Sequence, residues 1–141
     1  MTFLDAYALV AFLVGGPAKA QVRTMLREGD AAVATANLAE ALDVSERLYG
    51  MPVARAFELL EPLLEGPLTA VPLGADVARR TAELRAQHYH RSSRPISLAD
   101  AALVASAARG DRIATADPDV LAVARAEGLD TVALPAQGTA H

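Results

Sequence analysis

The chain has 141 residues, of which 52% are apolar, and a formal net charge of −4. That length suits one compact domain with a sizeable core, and the negative charge excludes a global basic field that would attract nucleic acid. The chain has no cysteine, which excludes disulfides, zinc–thiolate sites and thiol nucleophiles.

Strands and helices are predicted to alternate along the chain. The first half reads strand Thr2–Asp5, helices Ala6–Val14 and Ala18–Glu28, strand Ala31–Thr35, and helices Asn37–Tyr49 and Pro52–Glu65. The second half reads strand Leu68–Pro72, helices Ala75–His90 and Ser97–Arg109, strand Arg112–Ala116, helix Pro118–Glu127 and strand Thr131–Leu134. The alternation predicts an α/β fold, in which residues 1–135 form one three-layer α/β/α domain with a mostly parallel sheet of about five strands. Residues 136–141 are expected to form a loose tail.

The first residues carry no sign of a secretion signal. A signal peptide needs a basic segment before its apolar core, whereas here Asp5 interrupts an apolar stretch that has no positive start. No segment reaches the roughly 20 apolar residues that are needed to span a bilayer. We therefore expect a cytoplasmic protein with no membrane partner.

Four acidic residues follow or flank apolar runs: Asp5, Glu40, Asp100 and Asp117. Asp5 and Asp117 close predicted strands, while Glu40 and Asp100 fall in the first or second turn of predicted helices. The carboxyl ends of parallel strands meet at one edge of a sheet, so we expect these side chains to converge there. Four like charges cannot share a site without protons or cations.

Each acid also has a purely structural interpretation, as part of a helix cap. The candidate caps are Asp5, Asp117 followed by Pro118, and two capping-box pairs, Asn37 with Glu40 and Ser97 with Asp100. Capping alone accounts for each acid taken singly, and this interpretation is most complete for Glu40. What capping does not account for is the predicted convergence of all four acids on one edge of one sheet.

A metal ion would compensate the converging charges. Asp100 lies in a nearly apolar segment, and no basic residue is close to Asp100 or Glu40 in sequence. Hard oxygen ligands without cysteine indicate Mg²⁺ or Mn²⁺. Because a helix N-terminus favours the ionised carboxylate, the capping and ligand interpretations are compatible. Cations held there would bind a scissile phosphate and activate a water for hydrolysis.

The same segments resemble a known family. The matching motifs are Phe3-Leu4-Asp5-Ala6, Ala39-Glu40-Ala41-Leu42, Ile96-Ser97-Leu98-Ala99-Asp100-Ala101 and Ala114-Thr115-Ala116-Asp117, which together look like a PIN domain. The length and the segment Gly128-Leu129-Asp130-Thr131-Val132 resemble the VapC-type toxins of bacterial toxin–antitoxin pairs. The resemblance covers essentially the whole chain.

This resemblance implies a metal-dependent ribonuclease with Mg²⁺ or Mn²⁺ in an acidic pocket, a homodimer, and inhibition by a small cognate VapB-type antitoxin. By position, the catalytic and metal-binding residues of the family correspond to Asp5, Glu40, Asp100 and Asp117. Thr115 matches a small hydroxyl residue two before the last acid, and we assign it to substrate binding. Tyr7 departs from the family, which often has a small polar residue at this position. We expect this difference to affect substrate preference more than catalysis.

Basic residues concentrate between positions 79 and 94. The candidates for contact with an RNA backbone are Arg79, Arg85, Arg91 and Arg94, with Tyr89 available for stacking. The alternative is a solvated helix face whose positive charges are stabilised at the helix C-terminus.

Three functions compete at this stage. The first is a metal-dependent endoribonuclease that acts as a toxin. The second is a catalytically silent PIN-like module that binds RNA or a protein. The third is a phosphoacceptor domain, which also places an Asp after its first strand. That chemistry needs a positioned lysine, and Lys19, the only lysine of the chain, sits in a predicted helix–helix connection.

Overall fold

A computed structural model describes residues 1–137 of the chain. Its strands are β1 (Thr2–Leu4), β2 (Ala31–Ala34), β3 (Leu68–Val71), β4 (Arg112–Thr115) and β5 (Asp130–Ala133). Its helices are α1 (Ala6–Val14), α2 (Lys19–Glu28), α3 (Thr35–Tyr49), α4 (Val53–Leu64), α5 (Ala75–His88), α6 (Leu98–Ser106) and α7 (Pro118–Ala126). The predicted type and order of the elements are confirmed.

The strands form one sheet in the order β3-β2-β1-β4-β5, and every neighbouring pair is parallel. From β1 the chain moves outward through β2 and β3, then returns to the other side of β1 for β4 and β5. The direction of winding therefore reverses between β1 and β4, where the carboxyl ends of the strands leave a crevice. At this point the Asp5 N–H donates to the Ala114 carbonyl oxygen at 3.3 Å.

Alternating side chains of the strands supply two apolar layers. Leu4 and Val33 face the layer that contains α1, α2 and α4, whereas Phe3 and Ile113 face the layer of α6 and α7. Helix α5 packs on α6, and α3 contacts both α1 and α6. These contacts confirm the three-layer α/β/α arrangement.

Several helix boundaries differ from the prediction by one to three residues; α5, for example, ends at His88 rather than His90. The start of α3 and the end of α6 can be explained from the structure. Helix α3 begins at Thr35 rather than Asn37, because β2 passes directly into it through an extended Ala34 that makes no side-chain cap bond. Helix α6 ends at Ser106 rather than Arg109, where Ala107 turns extended and is buried against the second apolar layer. Both boundaries are set by tertiary packing, and neither has a polar or glycine signal in the sequence.

No helix within residues 1–137 combines the length and the apolar character that crossing a membrane requires. Of the expected tail, residues 138–141 lie outside the described part of the chain.

We expect Leu103→Ala to lower the free energy of unfolding by about 2–5 kcal/mol, because Leu103 is fully buried and its truncation leaves a cavity. The matched control is Leu98→Ala in the same helix, whose side chain is 60% exposed. That variant should change stability by no more than about 0.5 kcal/mol. Chemical denaturation measures both, and equal losses would show that the packing of α6 is wrong.

Candidate active site

Asp5 is fixed by the end of β1 and the start of α1. Its extended backbone makes it the N-cap of α1, and its Oδ1 accepts a hydrogen bond from the Ala8 N–H at 2.8 Å. The carboxylate also forms a hydrogen bond with the Thr115 side chain, which belongs to the neighbouring strand β4. The predicted cap is therefore present, and a second strand takes part in holding the same carboxylate.

Asp117 lies two residues beyond β4 and caps α7. Its Oδ1 accepts from the Asp119 N–H at 2.8 Å, and Pro118 follows as the first helical residue. Its own N–H donates to the Thr115 Oγ1 at 3.1 Å. Thr115 is completely buried and contacts both Asp5 and Asp117. Its hydroxyl therefore joins the two acids that follow the neighbouring strands β1 and β4. It lies beneath the site and is not one of the residues that line it.

Asp100 forms the predicted capping box with Ser97. The Asp100 N–H donates to the Ser97 Oγ, and the Ser97 N–H donates to the Asp100 Oδ2, each at 3.0 Å. These two bonds fix the carboxylate at the first turn of α6. The remaining oxygen, Oδ1, is free of this box.

Glu40 is not part of a capping box, and that interpretation was wrong. Because α3 begins at Thr35, Asn37 lies inside the helix, where it is buried and its Nδ2 donates to the Ala99 carbonyl oxygen at 3.1 Å. Asn37 thus fastens α3 to the first turn of α6. No hydrogen bond ties the Glu40 carboxylate to another described residue. Capping therefore does not explain why a carboxylate lies at this position, one turn into α3.

The four acids line one cavity of about 460 Å³. Its other described lining residues are Ala6, Tyr7, Val10, Val44, Tyr49, Ala116, Ala136 and Gln137. The predicted convergence of four carboxylates on the carboxyl edge of the sheet is thus seen in the structure. No lysine, arginine or histidine is found among these lining residues of the described chain.

Burial and neighbouring charges raise the pKa values of three of the acids, Asp5, Glu40 and Asp100. Burial raises the pKa of Asp5 to about 6; the Thr115 hydroxyl and the Ala8 N–H oppose this, and the charges of Asp100 and Glu40 add to it. Burial also raises the pKa of Asp100, with a further contribution from the charge of Asp117. The pKa of Glu40 is raised by burial and then by Asp100. The cavity is therefore a site of uncompensated negative charge.

The four acids offer only carboxylate oxygens as ligands. Hard divalent cations prefer oxygen ligands, so this set of side chains suits such a cation. Within residues 1–137, however, no group of three or more acidic or histidine side chains is already arranged to hold a metal ion. The chemistry of the site fits a cation, while a ready-made coordination cage is not seen in the described residues.

The basic residues lie elsewhere, and none of them lines the acidic cavity. Arg85 donates from Nε to the Ile96 carbonyl oxygen at 3.0 Å and stacks its guanidinium 4.4 Å from the centre of the Tyr89 ring. Arg94 is in a short antiparallel bridge with His90. Arg79 and Arg91 are exposed. Arg85 therefore joins α5 to the loop before α6, and the two exposed arginines keep their charges in solvent.

An apolar wall beside the acids was missed by sequence reasoning. It contains Tyr7, from the first turn of α1, and Tyr49, the last residue of α3. In the sequence, Tyr7 is a departure from the family pattern, and Tyr49 is the last residue of a predicted helix. The Tyr7 hydroxyl donates to the Pro135 carbonyl oxygen at 2.6 Å, which brings the segment after β5 to the cavity. No local sequence signal predicts this contact.

Comparisons with known proteins agree with this architecture. The family model of the PIN domain matches residues 2–126, and no curated protein matches the chain significantly. The fold is similar to DNA-bound VapBC from Salmonella typhimurium, at 18% identity and a TM-score of 0.68, over 94% of this chain and 96% of that one. It is similar to FitAcB from Neisseria gonorrhoeae, at 22% identity and a TM-score of 0.66, over 93% and 96% of the two chains.

A third similar structure is VapC20 from Mycobacterium tuberculosis, described as a sarcin-ricin loop cleaving toxin. It is 16% identical, with a TM-score of 0.63, over 96% of this chain and 90% of that one. At these identities the likenesses show a common fold.

The raised pKa of Asp5 gives the metal-free protein a defined pH dependence. Between its ordinary value of 3.8 and about 6, the folded state holds a proton that the unfolded state has released. This stabilisation is complete below the unfolded value and is lost as the pH rises through the folded one. We expect the wild type to gain roughly 1 kcal/mol between pH 7 and pH 5 relative to Asp5→Asn, which keeps the cap acceptor.

Thermal or urea unfolding in the presence of a chelator measures this difference. Asp76→Asn is the control, because Asp76 is also an acid in the first turn of a helix but is exposed and outside the cavity. Parallel stability curves for wild type and Asp5→Asn would contradict the burial of the Asp5 charge.

We expect Thr115→Val to raise the pKa of Asp5 above its value of about 6, because the hydroxyl that favours the ionised carboxylate is lost. The variant should also lose about 1–3 kcal/mol of stability, since the Asp117 N–H loses its acceptor. Thr115→Ser keeps the hydroxyl and should restore both properties. Carboxyl carbon NMR titration follows the pKa, and an unchanged titration in the valine variant would remove Thr115 from the site.

Proposed function

Because the chain belongs to the PIN domain family, we propose that it is a metal-dependent endoribonuclease that acts as the toxin of a bacterial toxin–antitoxin pair. The observation that carries the proposal is the meeting of Asp5, Glu40, Asp100 and Asp117 in one cavity, with no basic residue in the lining that residues 1–137 provide. Support also comes from the shared fold with VapBC and FitAcB, and with a toxin described as cleaving the sarcin-ricin loop.

Charge alone makes a cation necessary for this function. Four carboxylates repel the phosphate of an RNA chain, and the cavity offers no lysine or arginine from its described lining to offset them. A bound Mg²⁺ or Mn²⁺ would polarise the scissile phosphate and lower the pKa of an attacking water. We assign the ligand positions to the four acids.

The chain's own contribution is to hold those carboxylates in place before any ion arrives. Asp5, Asp100 and Asp117 each use one oxygen to accept a hydrogen bond from a backbone N–H at the start of a helix, so the backbone sets the position of the carboxyl group. The second oxygen of Asp100 and of Asp117 takes no part in these caps, whereas the Asp5 carboxylate also bonds to the Thr115 hydroxyl. The N-terminal ends of the helices favour the ionised form. Thr115 acts as a positioning residue, since its hydroxyl joins the acids that follow β1 and β4.

The remaining elements of the proposal concern partners. We propose a VapB-type antitoxin as the inhibitor and a homodimer as the active assembly, acting on RNA in the cytoplasm. Among the basic residues, Arg79 and Arg91 are the better candidates for contacting the RNA backbone, because both are exposed. Arg85 and Arg94 take part in structural contacts with Tyr89 and His90, and any contact with RNA would have to coexist with these.

A second candidate is the catalytically silent PIN-like module that binds RNA or a protein. The observation that favours it is that no acidic or histidine group among residues 1–137 is already arranged as a metal cage. In that case the acids would serve as helix caps alone. Glu40, which caps nothing, argues for the nuclease.

We expect the wild type to cleave single-stranded RNA with Mg²⁺ or Mn²⁺ and to be inactive with a chelator. Asp100→Asn keeps a capping side chain but removes a negative charge, so it should lower cleavage by at least about 100-fold, or about 2.7 kcal/mol of transition-state stabilisation. Asp76→Asn is the matched control and should cut as the wild type does. Gel analysis of labelled RNA measures all three proteins.

Equal cleavage by the wild type and Asp100→Asn would indicate a contaminating nuclease and refute the proposed site. Titration calorimetry with Mn²⁺ separates the two candidate functions. A nuclease should bind the ion, with weaker binding in Asp100→Asn, whereas no binding by the wild type would favour the silent module.

A further inference from the structure

The acidic cavity has a second side that the proposed chemistry leaves unused. Beside the carboxylates it is walled by Tyr7, Val10, Val44 and Tyr49, so two of the three tyrosines of the chain face one site. Apolar and aromatic groups neither coordinate a hard cation nor bind a phosphate. These apolar and aromatic side chains would suit a ligand group that is flat and apolar on its faces, and that is joined to a phosphate.

Tyr7 presents its ring to this space and not its hydroxyl. The hydroxyl donates to the Pro135 carbonyl oxygen at 2.6 Å, so the polar tip already has its partner inside the protein. The ring is only partly buried and lines the cavity together with Asp5 and Tyr49. Tyr7 is thus a fixed aromatic surface of the cavity that the acids and Tyr49 also line.

Tyr49 completes this surface from the last residue of α3. Its side chain is 49% exposed and lines the cavity, so its ring is accessible to a ligand there. The cavity of about 460 Å³ falls in the range of small-ligand pockets, roughly 300–1,000 Å³. It is large enough to hold more than a cation.

We propose that Tyr49 and Tyr7 form a nucleobase subsite, which stacks one base of the RNA next to the scissile phosphate. This inference rests on the proposed nuclease function and names how the substrate is held. Single-stranded RNA offers unstacked bases to aromatic side chains. Because the described lining of the cavity supplies no cationic side chain, the base contact is the chain's own source of affinity there.

The stacking is worth about 1–3 kcal/mol for each base. Tyr49→Ala should therefore raise KM for RNA by about 5- to 150-fold, with a much smaller change in kcat. Tyr49→Phe keeps the ring and should behave as the wild type. The matched control is Phe57→Ala, because Phe57 is an aromatic side chain that is exposed, at 39%, but does not line the cavity.

A binding experiment tests the subsite without catalysis. The chain contains no tryptophan, so Tyr49→Trp introduces a single indole as a fluorescent reporter of the wall. In the presence of Mg²⁺, adenosine 5′-monophosphate should quench its emission in a saturable manner. Ribose 5-phosphate carries the same phosphate without a base and should not. Phe57→Trp, which places the indole outside the cavity, should respond saturably to neither compound.

The outcomes separate the subsite from the nuclease. If the protein cleaves RNA but Tyr49→Ala leaves KM unchanged, the subsite is refuted and the nuclease stands. If adenosine 5′-monophosphate quenches the reporter but no RNA is cut, the nuclease is refuted and a nucleotide site remains. If Tyr49→Ala affects only the binding of a protein partner, or the two probes quench equally, the wall is not a base site.

Discussion

Repulsion among four carboxylates at one edge of a parallel sheet is the constraint on which the rest of this structure depends. The winding of the chain reverses between β1 and β4, and Asp5 and Asp117 follow these two strands. Burial and mutual charge raise the pKa of Asp5 to about 6 and also raise the pKa values of Asp100 and Glu40. A fold that keeps such a cluster is less stable for it at neutral pH, unless a ligand of opposite charge compensates.

The fold meets this cost by giving three of the acids a structural task. Asp5, Asp100 and Asp117 each cap a helix, which places hydrogen-bond donors and the positive end of the helix beside the ionised group. Capping and ion binding are therefore two uses of the same geometry. Glu40 shows the distinction most clearly, since α3 begins five residues earlier and needs nothing from it.

Much of this architecture could be predicted from the sequence, because its signals are local. Apolar runs indicate the strands, and glycines such as Gly29 and Gly50, which adopt the left-handed conformation, mark where helices end. The acids could be expected to converge because parallel strands end at a common edge. The start of α3 could not be predicted, because β2 passes directly into the helix at Ala34 without a capping side chain, and Asn37, the expected cap, bonds instead to Ala99, 62 residues away. The tyrosine wall depends likewise on the packing of α1, α3 and the segment after β5.

The central claim is that these carboxylates gather around a divalent cation. A crystal structure of the protein grown with Mn²⁺, with anomalous diffraction data, tests it most directly. We expect an anomalous peak in the cavity within coordination distance of oxygens from Asp5, Asp100 and Asp117, with the side chains drawn closer together than in the metal-free fold. A well-ordered cavity without such a peak, or Mn²⁺ bound only elsewhere on the surface, would contradict the account.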